Sequence, residues 1–318
     1  MPAAALSLRL LRDDPVALGF GVMLVVLVAA CIAAPLWATH VAHTTPFETH
    51  LSDTVEVDGG RVDVVDRNGV PIGPTWRGEF FLGADRNGRD TMVRLLYGGR
   101  NSLLIGISAG LATTALGVLL GLVAGYLRGW VDAVVSRLLD VLWAFPVVLL
   151  GIALGSALAI DGLRLGPLEI EGGSLLIPIV VIAFVYVPYV ARPIRGRVLS
   201  LREREFVEAA RGQGMSGRQV IAGEILPNVA PTILVLLPLL VANAILLEAA
   251  LSFLGAGVQP PDPSWGSMID DGVERIVTAP YLAIAPGLML VLTVLALNVF
   301  GDGVRAALDP RTGLRIGR

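Results

Sequence analysis

Six stretches of the chain carry no charged side chain: Val16–Thr39, Asn101–Leu127, Val141–Ile160, Gly172–Ala191, Ile225–Leu247 and Ile276–Gly301. Each reaches the length of about 20 residues that an α-helix needs to cross roughly 30 Å of hydrocarbon. Lipid offers no partner to an open backbone, so each run is predicted to be helical. The pattern is that of an all-α membrane protein with six transmembrane helices. Pro146, Pro178, Pro188, Pro231, Pro238 and Pro286 fall inside the runs. Backbone groups freed at such kinks face protein or a water-filled path, so the set fits either ordinary kinking or a pore-lining bundle.

The runs divide the chain into a piece 1–15, a first span 16–39, an outer loop 40–100, a five-helix core 101–303 and a tail 304–318. Arginine sets the orientation. The core loop 192–228 holds Arg192, Arg195, Arg197, Arg202, Arg204, Arg211 and Arg218, and short loops this basic stay cytoplasmic. With the N-terminus inside, the other cytoplasmic pieces hold Arg9 and Arg12, Arg128 and Arg137, and Arg305, Arg311, Arg315 and Arg318. The two short outer loops hold only Arg164 and Arg275. Loop 40–100 holds more, but at about 60 residues it reaches the limit of the rule. The expected topology is N-in, C-in. The first run follows Arg9 and Arg12 as a signal peptide would, yet it exceeds the usual apolar region of about 7–15 residues, so a retained anchor is expected.

In the outer loop, Val55 to Val64 alternates on both sides of Asp58-Gly59-Gly60, which predicts a β-hairpin. Asn68-Gly69 predicts a second turn. Asp85, Asn87 and Asp90 miss the spacing of a calcium loop, so an Asx-held turn is expected there. The loop reads either as a surface for a soluble partner or as solvated decoration.

Composition agrees with the spans: 54% of the 318 residues are hydrophobic, with a mean hydropathy of +0.73. The net charge of −3 averages a basic inside with a more acidic outside. All 24 basic residues are arginine, which excludes a phosphate-binding P-loop and a Schiff-base lysine. Cys31 is the single cysteine, so no internal disulfide forms. His40, His43 and His50 match no metal-ligand spacing, and no nucleophile–base pair is visible. No metal site and no catalytic residue is expected.

Within loop 192–228, Leu199–Arg211 is rich in helix formers and reads as one short helix. Gly212-Gln213-Gly214 interrupts it. Ser216 and Gln219 make a capping-box pattern for a second helix, which Pro227 is expected to end. Two short helices about a glycine joint form a compact knob. Ala209 and Ala210 are small enough to let a partner approach, and Glu208 can pair with an arginine of the partner or of the loop. At or near membrane depth stand Asn243, Glu248, Asp140, Asn298 and Asp302; ionisable groups there are functional candidates. Two readings stand for Glu248: lining the path, or locking the turn at Leu251–Gly255. Candidate pore or gate residues are Glu248, Asn243, Ser252 and Phe253; Asn298, Asp302 and Arg305 are candidate structural or contact residues.

Glu208-Ala209-Ala210, Gly214 and Leu226-Pro227 resemble the EAA loop of ABC-importer permeases, the element that docks into a transport ATPase. Phe81-Leu82-Gly83-Ala84-Asp85 through Gly88-Arg89-Asp90, then Tyr97-Gly98-Gly99-Arg100-Asn101-Ser102-Leu103, resemble the C-type permease subunit of the dipeptide, oligopeptide and nickel importer family. So do Arg12-Asp13-Asp14-Pro15, the block Leu251-Ser252-Phe253-Leu254-Gly255 with Pro261-Asp262-Pro263-Ser264-Trp265-Gly266, and Asn298-Val299-Phe300-Gly301-Asp302-Gly303-Val304-Arg305 followed by Leu308-Asp309-Pro310-Arg311. The blocks cover nearly the whole chain, in order. Glu224 departs from the family's usual apolar residue or histidine, and the outer loop is longer than a minimal member's.

The resemblance implies the type I ABC-importer permease fold in a bacterial or archaeal cytoplasmic membrane. It implies half of a translocation pore, with peptides as the expected cargo and nickel chelates, glutathione or opines as alternatives. The implied partners are a second homologous permease, two ATPase subunits or domains that bind ATP and Mg, an extracytoplasmic solute-binding protein and membrane lipid, with no nucleic acid. No cofactor is expected on this chain. A secondary transporter is the rival class, but no internal repeat relates the two halves, as inverted repeats would.

Overall fold

The computed structural model describes residues 14–57, 59–166 and 168–308. Arg9, Arg12, Asp13, the Asp58 corner of the hairpin and the tail block Asp309-Pro310-Arg311, with Arg315 and Arg318, lie outside the described residues. Among the described residues, five helices are long and apolar enough to cross a membrane, and the number of spans reaches six if one bent pair counts as a single span.

Helix α1 (Pro15–Ile32) starts on Asp14, whose Oδ1 accepts from the Val16 and Ala17 amides at 3.0 Å each. It stops short of the expected Thr39. Pro35 has no N–H and crowds the preceding turn, so the run breaks at Ala33 and resumes as α2 (Ala34–His40). The outer loop follows, with β1 (Thr54–Val57) antiparallel to β2 (Gly60–Asp63) and Val55 opposite Val62. Gly59 takes φ +83° in the turn, as a two-residue hairpin requires. Asp66 Oδ1 accepts from the amides of Asn68 and Val70, and Asp85 Oδ1 from those of Asn87 and Arg89. Both turns are therefore Asx-held, and no group of three or more His, Cys, Asp or Glu among the described residues is placed to hold a metal.

This outer unit is docked on the membrane core. Tyr281 Oη donates to the carbonyls of Ile72 (2.7 Å) and Ala84 (2.9 Å), and Arg275 donates to that of Gly69 (2.9 Å). Arg86 pairs with Asp271 (3.1 Å) and Glu274 (2.8 Å).

Helix α3 (Thr91–Leu127) begins ten residues before the charge-free run. Asp90 caps it, accepting from Val93 N at 3.0 Å and Phe80 N at 2.7 Å. Burial pushes the Asp90 carboxyl above the usual range, and the two amides pull it back. Arg94 lies inside the helix, buried, and donates to the Pro46 carbonyl at 2.9 Å. The glycines of α3 let neighbours close in: a Cβ at Gly106 would run into Ile245, and one at Gly117 into Val190.

The third expected span is not one helix. Helix α4 (Gly129–Trp143) and helix α5 (Val147–Asp161) meet at 89°. Pro146 cannot donate, and the residue before a proline is driven out of helical geometry. Strands β3 (Leu163–Leu165) and β4 (Leu168–Ile170) form a second hairpin that the sequence pattern did not predict. Helix α6 (Leu176–Leu201) outruns its expected end at Ala191, so the basic stretch starts helical. Helices α7 (Glu205–Gly212) and α8 (Gly217–Val220) and a π-helical turn (Ile221–Ile225) lead into α9 (Leu226–Phe253). The short α10 (Trp265–Val273) precedes α11 (Tyr281–Leu308).

Helix α3 runs along α6 and crosses α9, while α11 packs on α9 and α1. One apolar core gathers Ile105, Val181, Ile182, Leu247 and Leu251; a second gathers Leu122, Val190, Ile194, Val198, Val207 and Ile225. Leu111, Leu119, Leu149 and Leu288 are exposed, an aliphatic exterior that suits lipid.

Candidate coupling surface and translocation path

The knob between α6 and α9 is seated on its own core. Val207 and Ala210, three residues apart on α7, are buried against Val198, Val220 and Ile225. Glu208 and Ala209 face out, with Arg211 beside them. This corrects the expected role of Ala210: its small side chain serves the internal contact, and Ala209 alone of the pair is open to a partner. Helix α7 is also separate from Leu199–Leu201, which end α6; Arg202–Arg204 turn the chain between them. The glycine joint is as expected, with Gly214 at φ +82°. Ser216 opens α8, its amide donating to Gln219 Oε1 at 2.8 Å.

Pro227 does not end the second helix. The π-turn widens the ring just before it, so the proline sits at the start of α9 and the chain runs from knob to span without a break. Leu226 is half-buried and Pro227 exposed. Glu224, half-buried, offers its backbone carbonyl to Asn228 Nδ2 at 2.7 Å. The knob is fastened to the foot of α3: Arg202 donates to the Tyr126 carbonyl at 2.7 Å, Arg211 lies over the Tyr126 ring at 5.1 Å, and Gly217 abuts the same ring.

Toward the other end of α9, Glu248 is wholly buried. Its Oε1 accepts from Ser252 Oγ at 2.7 Å, and Ser252 Oγ accepts from Val258 N at 3.0 Å. The hydroxyls of Ser102 and Ser264 face the same carboxyl, while Oε2 has no hydrogen-bond partner among the described residues. Ser102 also takes the Trp265 amide at 3.1 Å, and Trp265 Nε1 donates to the Leu95 carbonyl at 3.1 Å. These groups tie α3, α9 and α10 together. The Glu248 side chain reaches no open surface, and its bond to Ser252 leads on to the turn after α9. Asn243 is half-buried, its carbonyl taking Tyr186 Oη at 3.4 Å, and Phe253 is half-exposed.

Asn298, Asp302 and Arg305 come together as their spacing on one helix face implies. With Thr232, Leu236 and Leu239 of α9 they line a recess of about 550 Å³ at the foot of α11.

The sequence reading singled out Asp140 but not the partners it and Asp132 meet on α6. Asp132 of α4 receives Arg195 in a two-pronged pair, with Nη2 to Oδ2 at 2.7 Å. Asp140 pairs with Arg192 at 2.6 Å, and the Arg192 guanidinium lies 4.5 Å from the centre of the Trp143 ring. Trp143 in turn meets Tyr189 at 4.6 Å between ring centres. The signal was present in the sequence as acids of one segment and arginines of the next, but only the fold sets them opposite one another.

Residues 117–314 match the family described as "binding-protein-dependent transport system inner membrane component". A dipeptide transport system permease protein of Alkalihalophilus pseudofirmus is 42% identical over 233 residues, covering 73% of this chain and 72% of its own. A glutathione transport system permease protein of Pectobacterium atrosepticum is 40% identical over 231 residues, covering 73% and 72%. An oligopeptide transport system permease protein of Haemophilus influenzae is 37% identical over 246 residues, covering 77% and 75%. An inward-facing structure of the MetNI methionine ABC transporter shares the fold, with a TM-score of 0.55 over 69% of this chain and 97% of that one at 19% identity. A multi-pass inner-membrane component of a transport system is the class that fold and sequence define. The chain belongs to the binding-protein-dependent transport system inner membrane component family, as a permease subunit.

Proposed function

We propose that this chain forms half of the translocation pore of an ABC importer for di- or oligopeptides. A second homologous permease completes the pore, two ATPase subunits supply force with ATP and Mg, and an extracytoplasmic binding protein delivers cargo. The chain itself carries no catalytic residue. The observation that carries the coupling role is the exposed Glu208–Ala209 face of α7 on a seat buried at Val207 and Ala210. A partner that moves this face moves α9 with it, because Val207 and Ala210 of α7 pack on Val220 and Ile225, and α8, the π-turn and α9 are continuous. The names of the dipeptide and oligopeptide relatives support the peptide cargo, with glutathione, itself a small peptide, inside the same chemistry. Six spans with both termini inside is the topology that the arginine distribution supports, with α4 and α5 as one broken span. The test is purification of the tagged chain in mild detergent, with identification of co-purifying subunits and an ATPase assay. A second permease, ATPases and hydrolysis stimulated by peptide-loaded binding protein are expected. A lone chain without ATPase partners overturns the importer reading.

A further inference from the structure

Where α4 meets α6, the protein exposes aromatic and charged side chains in place of aliphatic ones. Trp143 is 46% exposed and Tyr189 40%. The side chains of Asp140 and Arg192 are 54% and 37% exposed. Arg192 stands about 24 Å down α6 from Leu176, counted at the helical rise, so it lies in the inner half of the span. The exposed faces of α3 and α9 elsewhere, such as Leu111, Leu119, Leu234 and Leu246, are aliphatic. An ionisable pair at membrane depth faces a bundle interior or a watery cavity.

The pair is also unsaturated. Arg192 uses Nη2 on Asp140, and no acceptor among the described residues takes Nε or Nη1. Asp140 holds the guanidinium in place, the Trp143 ring covers one of its faces, and the remaining donors stay available. Such a fork takes carboxylate or carbonyl oxygens. Next to it, the tilted Trp143–Tyr189 pair, with Tyr186 at 5.3 Å from Tyr189, offers an aromatic surface for an apolar side chain.

We propose that Arg192, Trp143 and Tyr189 form a contact station on the inner half of the translocation path. Arg192 takes carbonyl or carboxylate oxygens of a passing peptide, and the aromatic pair takes its apolar side chains. Asp140 is the positioning residue. The peptide identity of the occupant rests on the importer reading above. Trp143 is the last residue of α4, just before the 89° break at Pro146, and it meets Tyr189 of α6 there.

The test uses the whole complex in nanodiscs, with its partner permease, ATPases and binding protein. Cys31 is buried and is the only native cysteine, so a Cys31→Ala background carries single reporters. Tyr189→Cys is expected to react with a charged maleimide at least tenfold faster than Leu119→Cys. Peptide-loaded binding protein with vanadate should slow that reaction threefold or more relative to empty binding protein. In uptake assays, Trp143→Leu should raise KM for peptides with bulky apolar side chains about fivefold more than for polar ones, and Trp143→Phe should restore the preference. Labelling of Tyr189→Cys as slow as Leu119→Cys overturns the proposal, since the face then meets lipid or the partner subunit. Fast labelling that ignores cargo, with unchanged peptide preference, overturns it too, since the face is then only wet. If another solute class is transported and slows the labelling, the peptide reading fails and the path assignment stands.

Discussion

Ser252 donates its hydroxyl hydrogen to Glu248 Oε1 at 2.7 Å, one helical turn away, with both residues enclosed where α9, α3 and α10 meet. Both residues lie on α9, and Ser252 Oγ in turn accepts from Val258 N at 3.0 Å, so the pair ties the turn after α9 back to its last helical turn. Glu248→Gln keeps an oxygen for Ser252 and is expected to cost less than about 1.5 kcal/mol. Glu248→Ala orphans Ser252 and leaves a cavity, for about 2–4 kcal/mol. Thermal unfolding of the purified complex measures both; equal midpoints for Glu248→Ala and the unaltered protein would mean that the carboxyl locks nothing.

Neighbouring alanines in the knob have opposite surroundings. Ala209→Trp should fold normally and block ATPase association by bulk, because Ala209 is exposed. Ala210→Trp should instead lower the stability of the permease by about 1–3 kcal/mol through overpacking. Pull-down of the ATPases together with a melting curve separates the two; a pair of variants that behave alike contradicts the seat-and-face geometry.

Glu208 makes no ion pair among the described residues, so its charge is free for a partner. Glu208→Arg should change stability by no more than about 0.5 kcal/mol. If an ATPase cation meets this carboxylate, reversal of the charge should weaken association about tenfold, or roughly 1.4 kcal/mol. Titration of the purified ATPase onto the permease in nanodiscs reads this directly, and unchanged binding removes Glu208 from the docking contact.

Gly214 occupies left-handed backbone at φ +82° with open space around it. Gly214→Val therefore strains the backbone without a clash, at roughly 1–2 kcal/mol, and Gly214→Asn should be mild. Proteolytic nicking of loop 192–228 is the readout: faster cleavage for the valine variant, near-native for asparagine.

The Arg195–Asp132 pair is mostly shielded and two-pronged. A double-mutant cycle with Arg195→Gln and Asp132→Asn should give a coupling on the order of 1 kcal/mol, above the usual surface pair. A coupling near zero would show that α4 is held on α6 by packing alone.

Five of the six charge-free runs fall on helices long and apolar enough to cross a membrane and the third falls on the bent pair α4–α5, but the ends of the runs marked where charge begins and not where helices stop. Arg94 and Arg100 excluded the first turns of α3, although Arg94 is buried against Pro46 and paired with Asp85. The same rule cut α6 at Ala191, although the helix runs on to Leu201 with Arg192 and Arg195 finding their acids on α4. Prolines misled in both directions. Pro146 breaks a span that read as one piece, while Pro227 sits where a π-turn makes room for it. The knob's glycine joint and capping box were legible because local chemistry decides them. The inward turn of Ala210 was not, since it depends on Val198, Val220 and Ile225, distant in sequence. The aromatic and ionic contacts of α4 with α6 were hidden for the same reason.

Helix α3 joins the Asp90 cap of the outer unit to Tyr126, on which Arg211 and Gly217 rest. Its 37 residues make a rod of about 55 Å, well beyond the bilayer's hydrocarbon. Pivoted at one end, such a rod converts a tilt of about one degree into roughly 1 Å of travel at the other. A soluble protein leaning on the outer hairpin and an ATPase gripping the knob would thus push on opposite ends of a single beam.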